Sequence, residues 1–413
     1  MTTILRDISQ LVTLADGPKD RPRGGPAQSE LGVREHHSVV LEDGVITWVG
    51  PAIDCPHLLG AIDIDCRGQA VLPALVDSHT HLVWGGDRKH EMELRLGGAD
   101  YEAIFAAGGG ILSSVRQTQD RDDEALYSES LARLDRMRRM GTTALEIKSG
   151  YGLDLATEQR QLRVARNLAE RTGTRVRTTC LAAHAVPADL RGSAAGRAEY
   201  VERVCKEILP AVVDLADYCD VFCDRGAFTP DESRRVLLAA RALGLQLRVH
   251  ANEFGHTGGA HVAAELAALS ADHLLFLDDD ERAALREAGT VATLLPGTSL
   301  VLGKPFADGR ALVRAGVPVA VATDCNPGSC ALESLALVLA LACYGCRLTP
   351  AEALCGATHN AAASLGLAHE RGRIEPGLAA DLIILATADY RDLVYHAGSP
   401  LISAVYQRGL RIA

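Results

Sequence analysis

Two patterns of apolar and polar positions run along the chain. Over the first seventy residues, short apolar runs alternate with turn residues, and SVVLEDGVITWVG holds two strand-like pieces around Asp43-Gly44, a hairpin dipeptide. Upstream of it, GPKDRPRGGPAQSE is rich in glycine and proline and reads as a flexible loop. From about Val71, short β-branched runs alternate with longer stretches of helical period, the pattern of repeated βα units around a parallel sheet. Eight such runs follow: VLPALVDSHTH, TTALEIK, RVRTTCLAAH, DYCDVFC, QLRVHANE, SADHLLFL, TVATLLPGTS and PVAVATDC. Eight strands close a (β/α)8 TIM-like barrel. Between them, Thr229, Pro230 and Glu232 make a helix entry with a capping box, Gly244 suits a left-handed C-terminal position, and Thr349, Pro350 and Glu352 repeat the entry. After about residue 370, GRIEPGLAADLIIL and PLISAVYQRG return to strand-like alternation. The expected architecture is α/β: a barrel over residues 71–369, with a small β-sandwich domain built from both termini, residues 1–70 and 370–413.

Composition narrows the function. In 413 residues, 47% are hydrophobic and 23% charged, enough for a sizeable core. Forty-two basic against 53 acidic residues leave a net charge of -11, which argues against binding nucleic acid or an anionic membrane. An anionic substrate would need a local cationic group. The apolar stretch Ser334 to Cys346 is shorter than the roughly 20 residues that span a bilayer. MTTILRDISQLVTLADG lacks the basic start and apolar block of a secretory signal, so a cytoplasmic location is expected. The eleven cysteines, odd in number and set in apolar segments, suit reduced thiols, and the lone pair Cys343 and Cys346 reads as packing.

Polar residues at the C-terminal ends of barrel strands need a reason, because active sites form there. The first run ends in His79 and His81, two apart and therefore on one side of a strand; the third ends in His184, the fifth in His250 and then Glu253, the sixth holds His273, and the eighth ends in Asp324. His79, His81, His250 and Asp324 are the expected ligands of one divalent metal, and imidazoles with a carboxylate suit zinc or iron rather than magnesium or calcium. The other nine histidines, His36, His37, His57, His90, His256, His261, His359, His369 and His396, read as surface or satisfied core residues. Two-metal barrel hydrolases bridge their ions through a modified lysine on the fourth strand, and DYCDVFC has none; Lys148, ending the second run, reads as paired with an acid or touching substrate. A metal with an open position brings bound water toward a neutral pKa, which points to hydrolysis by metal-bound hydroxide. His273 is placed to accept a proton from that water or to polarise the oxyanion, and Glu253 to pass a proton to a leaving nitrogen; alternatively Glu253 is a helix N-terminal acid.

DSHTHL, HANE, SADH, ATDCNPGS and IEPGLAADLII resemble the amidohydrolase superfamily across nearly the whole chain. HLVWGGDRKHEMELRLGGADYEAIFAAGGGI, EIKSGYGLD, AAHAVP and LLPGTS resemble, more specifically, the imidazolonepropionases of histidine degradation. The resemblance implies hydrolysis of the cyclic amide C–N bond of 4-imidazolone-5-propanoate to N-formimidoyl-L-glutamate, with Arg88, Tyr151 and His184 binding substrate, Asn326, Gly328 and Ser329 holding its other end, and a homodimeric assembly. Arg88 suits the substrate carboxylate, although beside Glu91 and Glu93 it also reads as a surface ion pair. Two departures stand out: Pro73-Ala74 replaces the usual Pro-Gly, and the loop around residues 18–30 is long. The family varies between Glu and Gln at Glu253. The competing readings are a deaminase of a related heterocycle, which would release ammonia, and a scaffold that has lost its metal, which would lack ligands.

Overall fold

The computed structural model describes residues 1–98 and 109–413. Five strands come first: β1 (Thr2–Val12), β2 (Val33–Arg34), β3 (His37–Glu42), β4 (Val45–Pro51) and β5 (Ile62–Pro73). The eight runs then form β6 (Leu75–Asp77), β7 (Thr142–Lys148), β8 (Arg175–Ala183), β9 (Tyr218–Cys223), β10 (Gln246–Ala251), β11 (Ser270–His273), β12 (Val291–Leu294) and β13 (Val319–Val321). Three more, β14 (Leu382–Leu385), β15 (Ile402–Gln407) and β16 (Leu410–Arg411), complete the strands.

Strands β6 to β13 hydrogen-bond in chain order, every neighbouring pair parallel. The seam between first and last is bridged just beyond them, where Thr80 pairs with Cys325, the His81 N–H donates to Cys325 O at 2.9 Å and the Asp324 N–H donates to His79 O at 3.0 Å. Barrel closure therefore fixes His79, His81 and Asp324 against one another through the backbone. All seven residues of β7 are buried, as a strand walled by helices outside and side chains inside requires.

The terminal segments make one hydrogen-bonded sheet, ordered β16-β15-β14-β5-β1-β3-β4 with β2 on β1. Leu5, Val39, Leu41, Ile46, Leu382, Ile384 and Tyr406 form its own core. Strand β5 pairs with β14 through Val71–Pro73, and Ala74 alone separates it from β6, so the chain passes directly from one sheet into the other. The β3–β4 turn has Asp43 and Gly44 at φ 47° and 88°, the left-handed pair that matches strand twist in a tight hairpin. The helices at Pro230–Ala242 and Pro350–Gly356 both open with complete capping boxes, and Gly244 has φ 87°.

One expectation fails. Residues 17–30 are not a flexible loop: Arg23 is 1% exposed and donates to Leu14 O, Pro18 O and Glu30 O at 2.7, 3.0 and 2.8 Å, while Gln28 exchanges hydrogen bonds with both backbone groups of Val319 at 3.0 Å. A guanidinium offers five donors, and backbone carbonyls around it supply the acceptors that glycine- and proline-rich composition does not reveal. The segment packs against the N-terminal end of β13, away from the strand ends that carry the histidines. Residues 99–108 of the HLVWGGDRKHEMELRLGGADYEAIFAAGGGI segment lie outside the described residues. No described helix is long and apolar enough to cross a membrane.

Candidate metal centre

His79 and His81 follow β6, His250 lies in β10, and Asp324 follows β13. All four are buried. The Nε2 atoms of His79 and His81 are 3.3 Å apart and those of His81 and His250 3.4 Å; Asp324 Oδ1 lies 3.4 Å from His79 Nε2 and 3.5 Å from His81 Nε2. The opposite ring nitrogens are backed by carboxylates: His79 Nδ1 is 2.7 Å from Asp272 Oδ2, and His250 Nδ1 is 3.0 Å from Asp220 Oδ2. A carboxylate accepts only, so each Nδ1 carries its proton and each Nε2 presents a lone pair to the centre. Burial pushes the His79 and His81 imidazoles well below their ordinary pKa, which keeps those rings neutral. Lone pairs and a carboxylate oxygen gathered this closely away from water repel one another unless a cation lies among them. Their chemistry, imidazole nitrogens with one carboxylate, fits zinc or iron(II).

The backbone is bent to make this arrangement. Asn252, His273 and Asp324 have φ of 53°, 78° and 54°, left-handed conformations that L-residues adopt at a cost of roughly 1–2 kcal/mol each and that recur at functional strand ends. Thr298, opening the helix Pro296–Leu302, donates its hydroxyl to Asp324 Oδ2. Burial raises the Asp324 carboxyl to about 6, against the pull of that hydrogen bond.

Around the centre stand the remaining sequence candidates. His273 Nε2 is 3.7 Å from Glu253 Oε2, and the His273 ring centroid lies 5.3 Å from that of His250. Burial holds the His273 imidazole far below its usual pKa and the Glu253 carboxyl far above its own, the latter helped by Asp324 and Asp224. An acid pushed toward its protonated form and a base pushed toward its neutral form thus face each other. Glu253 stands in a bend after β10, its N–H donating to Asp224 Oδ2, and the nearest following helix begins at Gly259. His184 stacks on His81 at 5.2 Å and 21°, with Nδ1 3.1 Å from Gly150 O; Tyr151 lies 5.8 Å from His81 and 5.4 Å from His184. Gly150 is required there: φ is 109°, and a Cβ would lie 2.9 Å from Leu181 O and 3.0 Å from His184 Nδ1.

Arg88 and Gly328, 240 positions apart in sequence, meet: a Cβ on Gly328 would stand 1.9 Å from Arg88 Nη1. Arg88 Nη2 donates to Glu91 Oε2 at 2.6 Å, but this pair is not a surface one, for the side chains are only 13% and 1% exposed. The structure engages Asn326 within its own loop: Oδ1 accepts from the N–H groups of Gly328 and Ser329 at 2.9 and 2.8 Å, and Nδ2 donates to Asp324 O and Ser329 Oγ. That side chain shapes the loop after β13 and so places Gly328 against Arg88.

Sequence reasoning expected Lys148 beside an acid, as it is, but missed the rest of the layer beneath the imidazoles. Glu146, Lys148, Asp220, Arg248 and Asp272 are fully buried and mutually paired. Lys148 Nζ donates to Glu146 Oε1 at 2.8 Å and Asp220 Oδ2 at 2.7 Å; Arg248 Nε lies 3.0 Å from Glu146 Oε1, and its Nη2 donates to Ser78 O at 2.9 Å. Burial alone would lower the Lys148 pKa, but Asp220 and Glu146 outweigh it and hold the ammonium above its ordinary value. The signal was present in the strand period: Glu146 and Lys148, and Arg248 and His250, are two apart and share a face.

Comparison with known proteins shows the family. The amidohydrolase family pattern matches residues 70–409. An imidazolonepropionase of Geobacillus kaustophilus is 45% identical over 401 residues, covering 95% of this chain and 94% of that one, and an imidazolonepropionase of Rhizorhabdus wittichii is 46% identical over 391 residues, covering 92% and 96%. Among solved structures, an adenosine deaminase from Xanthomonas campestris with bound zinc superposes with a TM-score of 0.73 at 20% identity, covering 99% of this chain and 92% of that one, a likeness of fold. With a closed eight-strand barrel, histidines at its strand ends and this identity along nearly its full length, the chain belongs to the amidohydrolase family, in the branch that holds the imidazolonepropionases.

Proposed function

We propose that the chain hydrolyses the cyclic amide C–N bond of 4-imidazolone-5-propanoate, giving N-formimidoyl-L-glutamate, with one zinc or iron(II) ion held by His79, His81, His250 and Asp324. The observation that carries this reading is the convergence of three buried Nε2 atoms and Asp324 in a chain 45% identical to an imidazolonepropionase over 95% of its length. When bound, such an ion supplies Lewis acidity and brings water toward a neutral pKa.

The chain's own residues do the rest. Arg88, steadied by Glu91, grips the propanoate carboxylate beside Gly328. Tyr151 and His184 bracket the flat ring next to His81. His273 Nε2, kept neutral by burial, takes the proton released as the carbonyl carbon is attacked, and the buried, protonated Glu253 gives its proton to the ring nitrogen as the C–N bond opens. The 3.7 Å between these two groups lets one recharge the other through a single proton transfer after a small side-chain rotation. Asp272 and Asp220 hold the ring orientations of His79 and His250. Eleven free thiols suit the cytoplasm.

The test is loss of the imidazolone's ultraviolet absorbance and appearance of N-formimidoyl-glutamate. Wild type is expected to turn over and His250→Ala to lose both metal and activity. Ammonia release from an aminated heterocycle, without turnover of the imidazolone, would establish a deaminase instead.

A further inference from the structure

Four consecutive N–H groups of the loop after β7, those of Gly150, Tyr151, Gly152 and Leu153, are taken up by two side chains of the helix Leu155–Thr172. Glu158 Oε2 accepts from Gly150 at 3.1 Å, and its Oε1 accepts from Gly152 and Leu153, both at 2.9 Å. Gln161 Oε1 accepts from Tyr151 at 3.1 Å, while its Nε2 donates to Val83 O at 2.7 Å. The loop is closely fitted to these acceptors: Leu153 is held left-handed at φ 58°, and a Cβ on Gly152 would stand 2.9 Å from Glu158 Oε1. Helix capping does not account for Glu158, because Asp154 already caps this helix, accepting from the Thr157 N–H at 2.9 Å. Glu158 instead reaches back past that cap, has zero exposure and pairs with no cation among the described residues. Burial raises its carboxyl pKa, and Ser149 with the N–H groups of Leu153 and Gly152 pulls it down.

The same loop governs both groups placed around the substrate ring. Tyr151 belongs to it, and Gly150 O accepts from His184 Nδ1 at 3.1 Å. We propose that Glu158 is a positioning residue for the substrate ring: by gathering the N–H groups of Gly150, Gly152 and Leu153 it fixes the Tyr151 side chain and, through Gly150 O, the His184 imidazole beside His81. The inference rests on the reading that Tyr151 and His184 bracket that ring. A carboxylate suits the task because both of its oxygens must accept. An amide has one oxygen, and turned either way it sets its NH2 group against at least one N–H of the loop.

The experiment measures zinc content, thermal unfolding and steady-state hydrolysis of the imidazolone propanoate for wild type, Glu158→Gln, Gly152→Ala, Tyr151→Ala and His184→Ala, with kinetics taken well below the unfolding temperature. Tyr151→Ala and His184→Ala should each raise KM. Glu158→Gln should keep the zinc content of wild type and raise KM about 10-fold with kcat within about 3-fold, because contacts to the ring lost from ground and transition states alike appear in KM. Gly152→Ala pushes the loop off the same carboxylate and should do likewise, and it decides alone if Glu158→Gln does not fold. A merely structural role would lower the unfolding temperature and the yield of active protein and leave KM unchanged. That outcome overturns the proposal, as does loss of zinc from Glu158→Gln or failure of both loop variants to fold. Wild-type KM in both Tyr151→Ala and His184→Ala would sink the ring-binding reading itself and the proposal with it, whereas raised KM in those two with unchanged KM in Glu158→Gln would sink the proposal alone.

Discussion

Gly328→Ala isolates the grip of Arg88 without touching its charge. Gly328 is not left-handed, so alanine meets no backbone strain there; its Cβ would stand 1.9 Å from Arg88 Nη1 and 2.7 Å from Cζ. Ordinary contact needs about 3.5 Å or more, so the guanidinium must move by roughly 1.5 Å, enough to break a directional two-point hydrogen bond to a carboxylate. Glu91 holds the other nitrogen at 2.6 Å and resists the displacement. A charge-assisted hydrogen bond contributes about 1.5–3 kcal/mol, which at 1.4 kcal/mol per tenfold predicts a fall in kcat/KM of roughly 10- to 150-fold. The loss should appear mainly in KM, since the carboxylate is remote from the reacting carbonyl. Stability should change little, because the clash is with the far end of one flexible side chain. The assay is steady-state hydrolysis of the imidazolone propanoate beside an analogue that lacks the carboxylate. An unchanged KM, or an equal loss with the uncharged analogue, would refute the assignment of Arg88 to the substrate carboxylate.

Two further outcomes follow from other contacts. Thr298→Val removes the hydroxyl that holds Asp324 Oδ2 and should weaken metal affinity by about 10-fold or more, measured by competition with a chromogenic chelator; unchanged affinity would show that Asp324 needs no such support. His359, buried with Nε2 3.0 Å from Arg21 O, has its imidazole lowered to about 4 by burial and by Arg23. Between pH 6.5 and about 4 the unfolded chain therefore binds a proton that the folded chain does not, so this contribution is complete above pH 6.5 and is lost as the pH falls toward 4. Urea unfolding should show about 2 kcal/mol lost at pH 5 relative to pH 7 from this group, and His359→Gln should flatten that slope; parallel slopes would contradict it.

Much of the architecture was legible because barrel strands and their helices obey different periods. Each of the eight runs became a strand, and the metal candidates stood out because a polar residue ending an apolar strand has no packing reason to be there. Arg88 was ambiguous in sequence, since Glu91 three residues on predicts an ion pair and that pair exists; only the approach of Gly328, distant in sequence but brought near by the β6–β13 seam, reveals a second face. Asn326 illustrates the reverse: its position in the ATDCNPGS motif suggested substrate contact, while both ends of its amide are engaged by its own loop. The charged layer behind the histidines was half visible as pairs two apart, but its five members come from four strands, and which acid backs which imidazole depends on register across the barrel. Arg23 shows what composition hides: glycine and proline mark a segment without regular structure, not one without a packed interior role.

The central claim is that one divalent ion among His79, His81, His250 and Asp324 makes this chain a hydrolase. Protein stripped by a chelator and titrated with zinc or iron(II) should regain imidazolone hydrolysis in proportion to metal bound, reaching a plateau at one ion per chain. Full turnover by metal-free protein, or a plateau only at two ions, would contradict it.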